Sequence, residues 1–153
     1  MPLSILIYPY KFLTRAKTLL VILWKESFMP TKQKKILVIE DDPAELFALK
    51  KIVSEAGHDV ISAADGQDGL EKIKKEKPNL VLLDIILPKI NGFDILELVK
   101  KDPTTKNIPI IVLTNLNDEE TATKSRTLGA VDYLVKVQAY PHDIIRKIDQ
   151  FMS

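Results

Sequence analysis

The sequence predicts a doubly wound α/β fold, a five-stranded parallel sheet with helices on both faces, and three observations carry that expectation. Short aliphatic runs alternate with helix-like stretches five times between residues 34 and 153. Three of the runs, KKILVIE, NLVLLD and IPIIVLT, are continuously apolar at their centres, as parallel strands covered on both faces should be. The chain of 153 residues is long enough for one domain with a sizeable core and too short for two ordinary ones.

The elements follow in order. Residues 34–40 (KKILVIE) form the first strand, and residues 41–57 (DDPAELFALKKIVSEAG) a helix with Pro43 in its first turn and Gly57 past its end. Leu46, Leu49, Ile52 and Val53 recur in it at helical spacing. HDVISAA is the second strand and DGQDGLEKIKKEK the second helix, stopped by Pro78. NLVLLD is the third strand, INGFDILELVKKD a turn and third helix, and IPIIVLT the fourth strand. DEETATKSRTLG is a fourth helix stopped by Gly129, VDYLVK the fifth strand, and YPHDIIRKIDQFM a final amphipathic helix. That helix ends close to residue 153, which leads to the expectation of a domain standing alone, without an output domain.

The composition, 28% charged and 46% hydrophobic, is globular. Without cysteine, disulfides, thiolate metal sites and thiol nucleophiles are excluded, and a reducing cytoplasm is the expected location. Residues 1–28 hold four Lys/Arg against one acid, so of the net +1 they carry +3 and the remainder −2. The remainder shows no basic stripe, so direct nucleic-acid binding is not expected.

Residues 1–28 differ in composition from the rest, and the expected division is an extension over 1–33 and a domain over 34–153. Lys11, Arg15 and Lys17 fall inside the apolar stretch, and at about +2.5 to +3.5 kcal/mol each they disfavour a membrane span. LLVILW is short for a signal-peptide core, and no small-x-small cleavage site follows it. Two readings stay open: a basic helix lying in a membrane surface, or sequence upstream of a native start at Met29. Membrane contact is expected only on the first.

Ligands of an open parallel sheet bind at the carboxyl ends of its strands. The first strand ends in Glu40-Asp41-Asp42, the third in Asp84, the fourth in Thr114 and the fifth in Lys136. Taken singly, each has a plain explanation: Asp84 and Thr114 as turn or helix caps, the acidic triplet as a solvated helix start, Lys136 as surface. Taken together they suggest a site. Converging carboxylates repel unless a hard cation joins them, and magnesium takes such oxygen ligands while keeping waters for a phosphate-bearing partner. Thr114 and Lys136 suit phosphoryl oxygens, and Asp84, at the end of an otherwise aliphatic run, suits a nucleophile toward phosphorus.

These residues resemble the receiver domain of two-component response regulators. ILVIEDDP, LVLLDIILPKINGFDIL, IPIIVLT and GAVDYLVK match that family block by block. The resemblance implies a flavodoxin-like sheet in the order 2-1-3-4-5. It also implies roles. Asp84 would be the phospho-acceptor, and Asp41, Glu40 and Asp84 would hold magnesium together with the backbone carbonyl of Ile86. Lys136 would pair with the phosphoryl group, Thr114 would move toward it, and Tyr133 would swing inward in response. Asp42 is an extra acid, expected to stand behind the metal ligands. The phosphoryl donor would be a histidine kinase or histidine phosphotransfer protein, and the output a downstream protein target, reached by protein contact or by passing the phosphoryl group on in a phosphorelay. The chain would be no enzyme beyond assisting its own phosphotransfer and dephosphorylation.

Two positions depart from the family pattern. Val137 stands where a cis proline commonly follows the lysine, so a trans, differently shaped loop is expected. Asn115, after Thr114, replaces a very small residue and is expected to crowd the pocket. These differences keep open the alternative of a degenerate receiver acting as a protein-binding scaffold. An aspartate-nucleophile phosphatase of the haloacid dehalogenase type would need an acid at Ile86, and a flavodoxin would need a Ser/Thr/Gly-rich phosphate loop where EDDPAE stands. In receivers the side chains two after the phospho-aspartate and two after the threonine flank the approach of hydrolytic water. Here these are Ile86 and Leu116, neither able to hydrogen-bond it, so a long-lived phosphorylated state is expected.

Overall fold

The computed structural model describes residues 33–152; both readings of residues 1–28 lie outside them. The elements are β1 (Lys35–Ile39), α1 (Pro43–Glu55), β2 (Asp59–Ala63), α2 (Gly66–Glu76), β3 (Leu80–Leu83), α3 (Gly92–Lys101), β4 (Ile110–Thr114), α4 (Glu119–Thr127), β5 (Asp132–Val135) and α5 (Pro141–Met152). A short 3₁₀ turn, Lys136–Gln138, joins β5 to α5.

The strands form one parallel sheet in the order β2-β1-β3-β4-β5. Successive residues of a strand face opposite ways, so each aliphatic run feeds two cores at once. Leu37, Ile39, Val81, Leu83, Ile110 and Val112 pack on one side with Leu70 and Ile73 of α2 and Ile95, Leu96 and Val99 of α3. Ile36, Val38, Leu80, Leu82, Ile111 and Leu113 pack on the other with Leu49 and Val53 of α1 and Ile144 and Ile148 of α5. The stops fall where the sequence placed them: Gly57 and Gly129 both take positive φ, at 90° and 103°.

Register aligns the strand ends. Ile39 lies beside both Ala63 and Leu83, Leu83 beside Val112, and Thr114 beside Val135. The Glu40 N–H donates to the Ala63 carbonyl at 3.0 Å and the Asp84 N–H to the Ile39 carbonyl at 3.1 Å, which carries this alignment one residue past the strands. Among the described residues, no helix is long and apolar enough to cross a membrane.

Candidate functional site

Asp84, Glu40 and Thr114 are all buried at this edge of the sheet, and none of them caps a helix. The caps are separate residues: Asp42 for α1, Asp65 for α2, Asn91 for α3 and Asp118 for α4. Asp84 and Thr114 are therefore not helix caps; each accepts a long bond from the N–H two residues on, and Asp84 keeps its second oxygen for other partners. Asp42 accepts from the N–H groups of Ala44 and Glu45 at 2.9 Å each, so the extra acid serves the helix.

Lys136 joins the site from the far side. Its Nζ donates to Asp84 Oδ2 at 2.7 Å, to Glu40 Oε2 at 2.5 Å and to Glu45 Oε2 at 2.5 Å. An ammonium has three protons, and the three carboxylates use them all. Burial alone would lower the Lys136 pKa, but the bonds from Asp84, Glu40 and Glu45 outweigh it and carry the value well above the ordinary range. For Glu40 burial wins and its carboxyl is held above the usual glutamate range, against the pull of Lys136 and the Asp42 N–H.

Glu40, Asp41 and Asp84 each offer a carboxylate oxygen, all within 4.8 Å of one another. Three hard oxygen donors, with an ammonium already drawn onto two of them, are a donor set that fits magnesium. Asp41 is exposed and so open to a hydrated ion, whereas Glu40 and Asp84 supply charge from below. The Ile86 N–H donates to Asp84 Oδ1 at 3.3 Å, which sets the Ile86 backbone beside the carboxylate.

Thr114 Oγ1 accepts from the Leu116 N–H at 3.5 Å, and the Tyr133 hydroxyl donates to the Leu116 carbonyl. The loop after Thr114 is thus tied to Tyr133 of β5. Burial raises the Tyr133 pKa, which keeps the hydroxyl a donor. Asn115 is exposed and its Nδ2 reaches Glu45 Oε1 at 3.5 Å, so its side chain leans toward α1. Among the described residues no peptide bond is cis, and the chain after Lys136 turns as a 3₁₀ segment with Val137 79% exposed. Ile86 is 62% exposed, while Leu116 packs against the core on the α2 and α3 face of the sheet.

Glu45 is the site residue that sequence reasoning missed. In D-x-x-E at a helix start, the glutamate ordinarily reaches back to the cap N–H. Here the Asp42 N–H donates to Glu40 Oε1 at 3.1 Å, which frees Glu45 to turn to Lys136. The four-residue spacing was visible; that its usual partner is taken was not.

The response regulator receiver domain family matches residues 36–149. Protein PilH of Pseudomonas aeruginosa is 37% identical over 102 residues, which cover 67% of this chain and 84% of that protein. The transcriptional regulatory protein AfsQ1 of Streptomyces coelicolor is 40% identical over 101 residues, 66% of this chain and 44% of that one. With PilH as an exception, the chain spans about half the length of the curated relatives it matches. A CheY-like receiver domain protein from Methanospirillum hungatei superposes with a TM-score of 0.73 at 34% identity, covering 79% of this chain and 94% of that one.

Proposed function

The chain belongs to the response regulator receiver family, and on that premise we propose that it is a magnesium-dependent phospho-acceptor switch with Asp84 as the accepting residue. The single observation that carries this reading is the convergence of Lys136 and the acidic set on Asp84, at the one edge of a parallel sheet where ligands bind.

The transfer balances as follows. A carboxylate oxygen of Asp84 attacks the phosphorus of a phosphohistidine; the O–P bond forms as the P–N bond breaks, and the electron pair leaves on the imidazole nitrogen, which takes up a proton. In hydrolysis water attacks the phosphorus as the Asp84 O–P bond breaks; the electron pair returns to the Asp84 carboxylate, inorganic phosphate leaves, and one water proton passes to solvent. Lys136 holds the carboxylate in place beforehand and offers a positive charge to the phosphoryl oxygens afterwards. Glu40, Asp41 and Asp84 would hold magnesium, which supplies charge neutralisation for the transferring group. Thr114, at the end of β4, is placed to hydrogen-bond the same oxygens, and its link through Leu116 to Tyr133 is a route by which the change could reach the face of β5.

Because Asp84 is consumed at each transfer and must lose its phosphoryl group before the next, the chain acts as a switch and not on an outside substrate. The donor would be a histidine kinase or histidine phosphotransfer protein. Ile86, two residues past Asp84, and Val137, next to Lys136, stand exposed and offer apolar contacts to the donor. The output would pass through contact with a further protein. Val137 and Asn115 motivate the scaffold alternative, and the Lys136–Asp84 bond beside them favours the phospho-acceptor reading over it.

Incubation with acetyl phosphate should add one phosphate mass with magnesium and little without it. No addition in either condition, with the chain folded, would overturn the reading.

A further inference from the structure

We propose that Glu45 is a positioning residue that clasps Lys136 in the unphosphorylated state and must let go when a phosphoryl group arrives, so that it sets how readily the site switches. This rests on the phospho-acceptor reading of Asp84.

Lys136 has three protons and three carboxylate partners, so a phosphoryl oxygen can gain one only if a present partner yields. Burial decides which. Glu40 has a side chain 2% exposed, and releasing it would strand a carboxylate in the interior. Asp84, 9% exposed, is the residue that carries the phosphoryl group. The Glu45 side chain is 39% exposed, so water can solvate it once Lys136 leaves. Among the described residues, the other bond to its side chain, from Asn115 at 3.5 Å, is at the long limit and yields easily.

The backbone is arranged for such a release. Asp42 caps α1 through the N–H groups of Ala44 and Glu45, so the first turn stays fixed while the Glu45 side chain rotates away. The N–H to which Glu45 would otherwise reach back is already held by Glu40. Glu45 therefore acts on phosphorylation only through Lys136 and through its own negative charge, and both effects oppose an incoming dianionic group.

The test is the affinity of beryllofluoride, a tetrahedral phosphoryl mimic, for the chain in magnesium buffer, measured by titration calorimetry. Glu45→Gln and Glu45→Ala should bind it about two- to fivefold more tightly than wild type, the size expected of a part-exposed ion pair. The gain should shrink at high salt, which screens the competition in wild type. Glu55→Gln removes the same charge from the far end of the same helix and should leave affinity unchanged. A merely structural role for Glu45 predicts loss and not gain. Equal or weaker binding in both Glu45 variants, or the same gain in Glu55→Gln, would overturn the proposal. If wild type neither binds the mimic nor accepts phosphate from acetyl phosphate, the fault lies instead with the phospho-acceptor reading.

Discussion

Lys136 and Asp84, 52 positions apart in sequence, meet at 2.7 Å between Nζ and Oδ2, with both side chains nearly closed off from solvent. Neither residue would be stable there alone. A lone carboxylate or ammonium at such a position is costly, and the pair with Glu40 is what lets both charges persist.

Removing the ammonium should therefore expose the repulsion it masks. Lys136→Met is expected to lose on the order of 3 kcal/mol at neutral pH, read from urea unfolding. Because the acids raise the Lys136 pKa, its contribution is complete below the ordinary lysine value of 10.5 and is lost as pH rises through the higher folded value. The difference between wild type and variant should thus be flat up to that pH and shrink beyond it. Added magnesium should raise the melting temperature of Lys136→Met more than that of wild type, since it joins carboxylates left repelling. A difference already falling between pH 8 and 10 would contradict the assignment.

Gly92 ties the start of α3 to the acceptor. A Cβ built there would lie 2.4 Å from the Asp84 carbonyl oxygen and 2.7 Å from the Ile85 Cα, both backbone atoms that cannot step aside. Gly92→Ala is expected to destabilise by about 1–3 kcal/mol or more and to slow labelling by acetyl phosphate. Gly57→Ala, strained by its positive φ but with open space around the Cβ, should lose stability and keep its labelling rate. Normal labelling in Gly92→Ala would show that the helix start does not position Asp84.

Ile86 lies two residues past the acceptor, is exposed, and cannot orient a water. Ile86→Asn is expected to speed decay of the phosphorylated species severalfold in magnesium buffer once donor is removed, since a tenfold change needs only about 1.4 kcal/mol of barrier. Leu116, the other position that sequence pointed to, packs on the core of the α2 and α3 face, and Leu116→Glu would disturb that core as well as the water. Unchanged decay in Ile86→Asn would remove this position from the control of hydrolysis.

Much of this was legible because strand period and strand end are local signals. Aliphatic runs that stop at Glu40, Asp84, Thr114 and Lys136 put four polar residues at one sheet edge once the strands are parallel. What escaped depends on who else is present. Glu45 looked like an ordinary first-turn acid, and its bond to Lys136 exists because Glu40 holds the Asp42 N–H. The helix α4 has little apolar face; its buried residues are Thr121 and Ser125, satisfied by Asp118 Oδ2 and by the Thr121 carbonyl. Asn115, expected to crowd the pocket, lines the cavity beside Lys136 and reaches Glu45, an attraction between residues 70 positions apart that no local pattern carries.

The most direct test is to locate the phosphoryl group. After labelling with acetyl phosphate and magnesium, borohydride reduction converts an acyl phosphate to the alcohol, and peptide mass spectrometry then reads which carboxylate carried it. Homoserine in place of aspartate at position 84, absent without magnesium and absent from Asp84→Asn, is the expected result. Reduction at Asp41, Glu40 or Glu45, or undiminished labelling of Asp84→Asn, would contradict the account.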